Sequence, residues 1–198
     1  SYEHQAAVAY QFNGTTSTVN IGTAATWDAL IGGSGDNAKA FSISAWFYAD
    51  DEGEGTGGMI TGFSETDRLL RWNAADDTLV FWIAGSGGTS GRVYSSTLSK
   101  DRWYHAVATY TGGNTGTLSL YINGVADNNS QVDALAPLAI TPDTCHIGNN
   151  AAGSATWDGS LDEISIWDEA LNASEVVELY NNGVPTAVDF AHSSRANI

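Results

Sequence analysis

WYHAVATYTGGNTGTLSLYINGV, residues 103–125, is the stretch whose reading decides the fold. In an extended chain successive side chains point to opposite faces. Tyr104, Ala106, Ala108 and Tyr110 then share one face, and Trp103, His105, Val107 and Thr109 share the other. Both faces carry large apolar groups, which predicts a central strand buried between two layers. Gly112, Gly113 and Asn114 supply the positive-φ chemistry of a turn. A second strand is predicted over Thr117 to Ile122, with Leu118, Leu120 and Ile122 on one face. It closes on Asn123-Gly124, the dipeptide favoured by a type I′ hairpin because both central residues need φ > 0. A third strand begins at Val125.

The rest of the chain has the composition this hairpin needs. A length of 198 residues suits one large β domain, and aromatic residues make up 11% of it, including 7 Trp. The 22 Gly against 3 Pro point to many turns and away from disorder. A net charge of −16 argues against nucleic acid and anionic membrane as partners. No apolar run approaches the roughly 18 residues that span a bilayer, so membrane insertion is not expected. Cys145 is single, which rules out an intrachain disulfide, and it reads as a small buried hydrophobe.

Taken in order, strands are predicted over Ala7–Asn13, Thr18–Gly22, Ala40–Tyr48, Met59–Phe63, Arg68–Trp72, Thr78–Ile83, Arg92–Ser95, Cys145–Gly148 and Ser160–Trp167. Thr26 reads as the cap of a short helical turn reaching Leu30. Asp50–Gly58 (DDEGEGTGG) reads as a flexible acidic loop without EF-hand spacing. Asp127–Asp133 reads as a polar loop. One helix is predicted over Ala173–Asn181. Asn172 caps it, Glu175 completes a capping box, and Gly183 and Pro185 close it.

YQFNG at 10–14, FSISAWFY at 41–48, RWYHAVATY at 102–110, LSLYINGV at 118–125, HIG at 146–148 and GSLDEISIWDEALNASEVVELY at 159–180 follow one another in this order. Together they resemble a laminin-G-like domain of the concanavalin-A-like lectin/glucanase superfamily. The resemblance runs from about Ala7 to Gly183. It leaves residues 1–6 as a lead-in, 7–183 as the domain and 184–198 as a linker or tail. It implies an all-β fold: a two-sheet antiparallel jelly-roll sandwich with one short C-terminal helix. It also implies a structural calcium, held by the turn after the first strand and an Asp on the last strand. Those positions are Asn13 and Asp162 here, with carbonyls from a loop near Gly35 to Lys39. An Asp carboxylate and an Asn amide oxygen are suitable hard ligands for that ion.

A second comparison, with pentraxin-like calcium sites, draws attention to two loops. One offers Glu65 and Asp67; the other offers Asn149, Asn150 and Asp158. The match is partial and no double-calcium site is expected, but the loops are candidates for a sugar site. Carbohydrate sites combine planar amides or carboxylates with an aromatic face. Trp72, at a strand end beside Arg71 and Asn73, is the aromatic candidate, while Trp46, Trp82 and Trp103 read as core. Trp157 is expected to pack rather than stack. His105 resembles the buried His of the family's W-x-H strand.

Glycoside hydrolases on this fold carry paired carboxylates on one strand face, spaced E-x-D-x-(x)-E, and no such run is present. The chain has no G-x-S-x-G, H-E-x-x-H or P-loop either. The sequence thus points to a non-catalytic, lectin-like domain that binds glycans or polysaccharide, stabilised by calcium. The alternative is a structural or adhesion module of an extracellular or virion surface assembly, acting through protein partners or self-assembly. Either reading places the domain outside the cell or on a cell or virion surface.

Overall fold

The computed structural model describes residues 9–32, 39–62, 68–84, 90–113, 116–132 and 144–184. The chain opens with β1 (Tyr10–Asn13), β2 (Val19–Gly22), α1 (Ala24–Ile31), β3 (Phe41–Ala49), β4 (Met59–Gly62), β5 (Arg68–Asn73) and β6 (Thr78–Ala84). It continues with β7 (Ser90–Tyr94), β8 (Trp103–Tyr110), β9 (Leu118–Ile122), β10 (Val125–Ala126), β11 (Ser130–Val132), β12 (Cys145–Ile147), β13 (Asp158–Trp167) and α2 (Ala173–Tyr180). Two antiparallel sheets form a jelly-roll sandwich. The first has six strands, β1-β13-β3-β8-β9-β10, and the second seven, β11-β7-β6-β5-β4-β12-β2.

Strands β3 and β8 form the spine of the first sheet, paired without interruption from Phe41↔Tyr110 to Tyr48↔Trp103. Inward, Phe41, Ile43, Ala45 and Phe47 meet Tyr104, Ala106, Ala108 and Tyr110 in the main core. Phe41 reaches across the sandwich to Phe81 of the second sheet, edge to face at 5.9 Å. Asn123 and Gly124 take φ of 52° and 78°, as a type I′ turn requires. Helix α1 lends Trp27 and Ile31 to the same core, both fully buried.

The outer row of the same spine is also covered. Val176 and Leu179 of α2 pack with Val107, Trp167 and Leu171 in a second, smaller core. Tyr180 stacks over Trp46 at 5.8 Å and over His105 at 6.0 Å. Ser42 Oγ donates to the Glu169 carbonyl and accepts from the Leu171 amide, which fixes the link that delivers the helix. The capping box is present: the Asn172 side chain accepts from the Ser174 and Glu175 amides, and Glu175 Oε2 accepts from the Asn172 amide.

Several local expectations are corrected. Thr23, not Thr26, stands at the start of α1, whose helical residues begin at Ala24. Helix α2 stops at Tyr180 because Asn181 takes the left-handed conformation, ahead of Gly183. Ser130–Val132, read as loop, pairs with β7 as an edge strand. The strand predicted over Ser160–Trp167 is interrupted by a bulge between Asp162 and Ser165, with Glu163 at φ 46°. Phe63, Leu135–Ile140 and the segments 1–6 and 185–198 lie outside the described residues.

Two outcomes follow. Asn172→Ala removes an acceptor for two amides and should cost about 1 kcal/mol in urea unfolding. His105 is buried with its Nε2 3.2 Å from Ser44 Oγ, and burial holds its pKa down, from 6.5 to about 3. Below pH 6.5 the unfolded chain takes up a proton that the native imidazole refuses. Stability should therefore be full above that pH and fall at about 1.4 kcal/mol per pH unit down toward pH 3. Thermal melts across that range should show this slope in the parent and lack it in His105→Gln.

Candidate functional site

On the second sheet, the inward residues of the central strands are apolar: Leu70 and Trp72, then Leu79, Phe81 and Ile83, then Val93. Alternation places Arg71, Val80, Trp82, Arg92 and Tyr94 on the outer face. Register brings them together. Arg71 and Tyr94 both lie opposite Val80, Trp82 lies opposite Arg92, and Met59 of β4 lies opposite Arg71. Val80 and Met59 are 1% and 2% exposed although neither belongs to the main core. Along the strands they are bordered by Arg71, Trp82 and Tyr94.

Arg71, Trp82, Arg92 and Tyr94 are half-buried and reach solvent. The Arg92 guanidinium lies 4.1 Å from the Trp82 ring centroid, and that of Arg71 lies 6.0 Å away. Because β6 runs between β5 and β7, the two cations approach the indole from opposite neighbouring strands. Arg71 Nη1 donates to Thr56 Oγ1 at 2.5 Å. Among the described residues no carboxylate pairs with either guanidinium. Arg71 Nε, Arg92 Nε and Trp82 Nε1 are buried and have no hydrogen-bond partner among the described residues. Burial pulls Arg71 below the ordinary guanidinium range; Tyr94 opposes this, and the charge of Arg92 adds a smaller push downward. Trp82, expected in the core, is thus the centre of an outward-facing cluster.

The residues singled out from sequence are placed differently. Trp72 is fully buried, its Nε1 donating to Asp77 Oδ1 at 3.2 Å and its ring set edge-on to Trp157. It presents no face to a sugar, because β5 turns its even-numbered positions inward. Asn149 is buried too. Its Oδ1 accepts from the Asn150 and Ala155 amides, and its Nδ2 donates to Thr156 Oγ1. Asn150 is engaged with Ser154 through both ends of its amide. Asp158 sits beside Gly14, and burial, with Asp50 and Asp51 nearby, raises its pKa. Glu65 and Asp67 lie outside the described residues.

The acidic loop 50–58 is not a free tip. Its Glu54 amide donates to the Thr156 carbonyl and its Gly58 amide to the Glu52 carbonyl, while Thr156 Oγ1 donates to Glu54 Oε2 at 2.7 Å. Gly57 has φ +128°, and a Cβ there would stand 1.9 Å from the Trp72 carbonyl, so close approach requires glycine. Lys100 binds Asp51 and Glu52 at 3.3 and 2.9 Å and lies 3.7 Å from Asp77.

The pair implied for calcium does not fit one ion. Asn13 lies opposite Asp158 on β13, and Asp162 is four residues further along that strand. That separation is roughly 13 Å, whereas ligands of one calcium each lie about 2.3–2.6 Å from it. The Asn13 Oδ1 accepts from the amides of Thr15, Thr16 and Ser17, and Asp162 Oδ1 accepts from the Glu163 amide. Among the described residues no group of three or more His, Cys, Asp or Glu could hold a metal. No helix among them is long and apolar enough to cross a membrane.

A family model described as the concanavalin A-like lectin/glucanases superfamily (Laminin_G_3) matches residues 13–177. Comparison with curated proteins finds no match. Among solved structures, the chain is similar to a candidate carbohydrate binding protein from Bacteroides ovatus, with 21% identity and a TM-score of 0.54. The match covers 86% of this chain and 46% of that one. It is similar to domain 4 of AbnA, a GH43 extracellular arabinanase from Geobacillus stearothermophilus solved with arabinotriose, at 17% identity and TM-score 0.60. Coverage there is 87% of this chain and 76% of that one. It is also similar to the binding domain of botulinum neurotoxin DC, solved with rat synaptotagmin II, at 14% identity and TM-score 0.58, covering 83% of this chain and 39% of that one. The chain thus spans less than half the length of the first and third of these proteins.

Asn13→Ala should lower the melting temperature by releasing three turn amides, and by the same amount in calcium as in chelator. A calcium-dependent difference would show that Asn13 is a ligand after all.

Proposed function

The chain belongs to the concanavalin A-like lectin/glucanases superfamily, and on that premise we propose that it is a non-catalytic carbohydrate-binding domain whose ligand lies on the outer face of the second sheet. The observation that carries this is the Arg71–Trp82–Arg92 cluster itself. It is a partly exposed indole flanked by planar multidentate donors on a face where no described helix packs, while α2 covers part of the first sheet's outer face. Sugar hydroxyls need fixed donors and acceptors beside an apolar surface, and this face supplies Arg71, Arg92 and Tyr94 beside the Trp82 ring. Retaining hydrolysis needs two carboxylates about 5–5.5 Å apart; the cluster carries two cations instead. The carbohydrate-binding and arabinotriose-bound relatives support the class of ligand. The reading sets the domain where glycans are displayed, outside the cell or on a surface.

A second reading, contact with protein partners, has its own support. Edge strands β1 and β10 of the first sheet present Tyr10 and Val125, each 69% exposed.

A glycan and polysaccharide array should show selective binding, lost at least ~10-fold in Trp82→Ala, a size common for removal of one well-placed contact group. Trp103→Ala, on the outer face of the other sheet, should leave it unchanged. Loss in Trp103→Ala and not in Trp82→Ala would move the site to the other sheet. Absence of any glycan binding, with self-association abolished by Tyr10→Ser, would favour the second reading.

A further inference from the structure

Two cations placed on either side of one indole, on a chain of net charge −16, require an explanation. The chain has only seven Lys and Arg. Two of them converge on one indole, half-buried and without a carboxylate among the described residues, although 23 acids were to hand. The contrast with Lys100 is direct: that ammonium is held among Asp51, Glu52 and Asp77. Lys39 likewise has a partner, donating to the Ala29 carbonyl at 2.8 Å.

Partial burial of a guanidinium costs hydration, and a like charge across one ring adds repulsion. The indole returns some of this through cation–π attraction, about 0.5–1 kcal/mol at exposed sites. It also holds each planar fork in a fixed orientation and so lowers the entropy lost when the fork is used. The partnerless Nε atoms of Arg71 and Arg92 mean that the donor capacity of both groups is not satisfied within the described structure. An anion at this place would relieve the repulsion, satisfy donors from both sides and gain from a partly dry setting. Tyr94, on the same face, adds a hydroxyl that can donate to a neighbouring oxygen.

We propose that the Arg71–Trp82–Arg92 cluster is a subsite for the negatively charged group, carboxylate or sulfate, of an anionic sugar. This deepens the carbohydrate-binding reading and rests on it. Arg71 and Arg92 bind the charged group, and Trp82, besides contacting the sugar, sets their planes. The overall negative charge of the protein disfavours densely charged polyanions, so the ligand is a sugar carrying isolated charges on an otherwise neutral chain.

The test compares partly methyl-esterified pectin with the fully esterified form, and sparsely sulfated dextran with plain dextran, by titration with the intact chain. The expected result is at least ~10-fold tighter binding of a charged form, weakening as salt is raised. Arg71→Gln and Arg92→Gln should each remove the preference while retaining the parent's near-ultraviolet circular dichroism. Arg92→Lys should keep the salt dependence but recover only part of the affinity, because it keeps charge without the planar fork. Preference for pectin alone assigns a carboxylate, and preference for sulfated dextran alone a sulfate. Equal binding of charged and neutral forms, or a preference that survives both Gln variants, overturns the anionic subsite and leaves the carbohydrate-binding reading standing. Binding of none of these, together with a blank glycan array, overturns both.

Discussion

The uninterrupted pairing of β3 with β8 is the constraint on which the remaining structure depends. Because it carries apolar or aromatic groups on both faces, neither face tolerates water. The inner row is satisfied by the second sheet, through contacts such as Phe41 on Phe81. The outer row, with Trp46, His105 and Val107, needs a separate cover, and α2 provides it. The serine at 42 and the asparagine at 172 act in the same cause: one anchors the connection, the other starts the helix. The asymmetry between the sheets follows. The outer face of the first sheet is covered by α2 around Trp46, His105, Val107 and Trp167, and the outer face of the second presents Arg71, Trp82, Arg92 and Tyr94.

The loops at one end of the sandwich show how an acidic, glycine-rich segment can be rigid. Residues 52–58 and 148–157 share backbone hydrogen bonds, and glycines at 53, 57 and 58 admit carbonyls where a side chain would collide. Arg71 joins this assembly through Thr56. The segment that reads as a flexible acidic loop therefore buttresses one side of the candidate site. Its composition describes its solvent side, whereas its order comes from contacts distant in sequence.

Much of the architecture was legible. The 103–125 stretch yields its two principal strands, their inward rows and the Asn-Gly turn by alternation alone. The capped helix at 173–180 is read from Asn172 and Glu175 within a residue of its end. The binding elements were harder. Amide and carboxylate residues in loops suggest ligand contacts by type, yet Asn149 and Asn13 use those same groups to tie their own backbones. Side-chain chemistry does not reveal whether a donor faces outward or closes a turn. The calcium pair meets a related constraint: residues carried over by resemblance bring no register with them, and the register holds Asn13 and Asp162 apart.

Trp72 and Trp82 show where the missing information lay. Both sit in apolar runs, and Thr78–Ala84 is hydrophobic at nearly every position, so alternation within that strand cannot name its inner face. The neighbour can. Arg71 lies between Leu70 and Trp72, and a half-buried strand turns such a lone cation outward. The β5–β6 hairpin pairs Asn73 with Thr78, and that register carries Arg71 to Val80 and Leu69 to Trp82. Trp82 therefore shares the parity of Arg71, and Trp72 opposes it. The next hairpin repeats the step, setting Arg92 against Trp82. A cation fixes the face of one strand, pairing passes that choice to the next, and the aromatic residue standing between two such cations marks the candidate site.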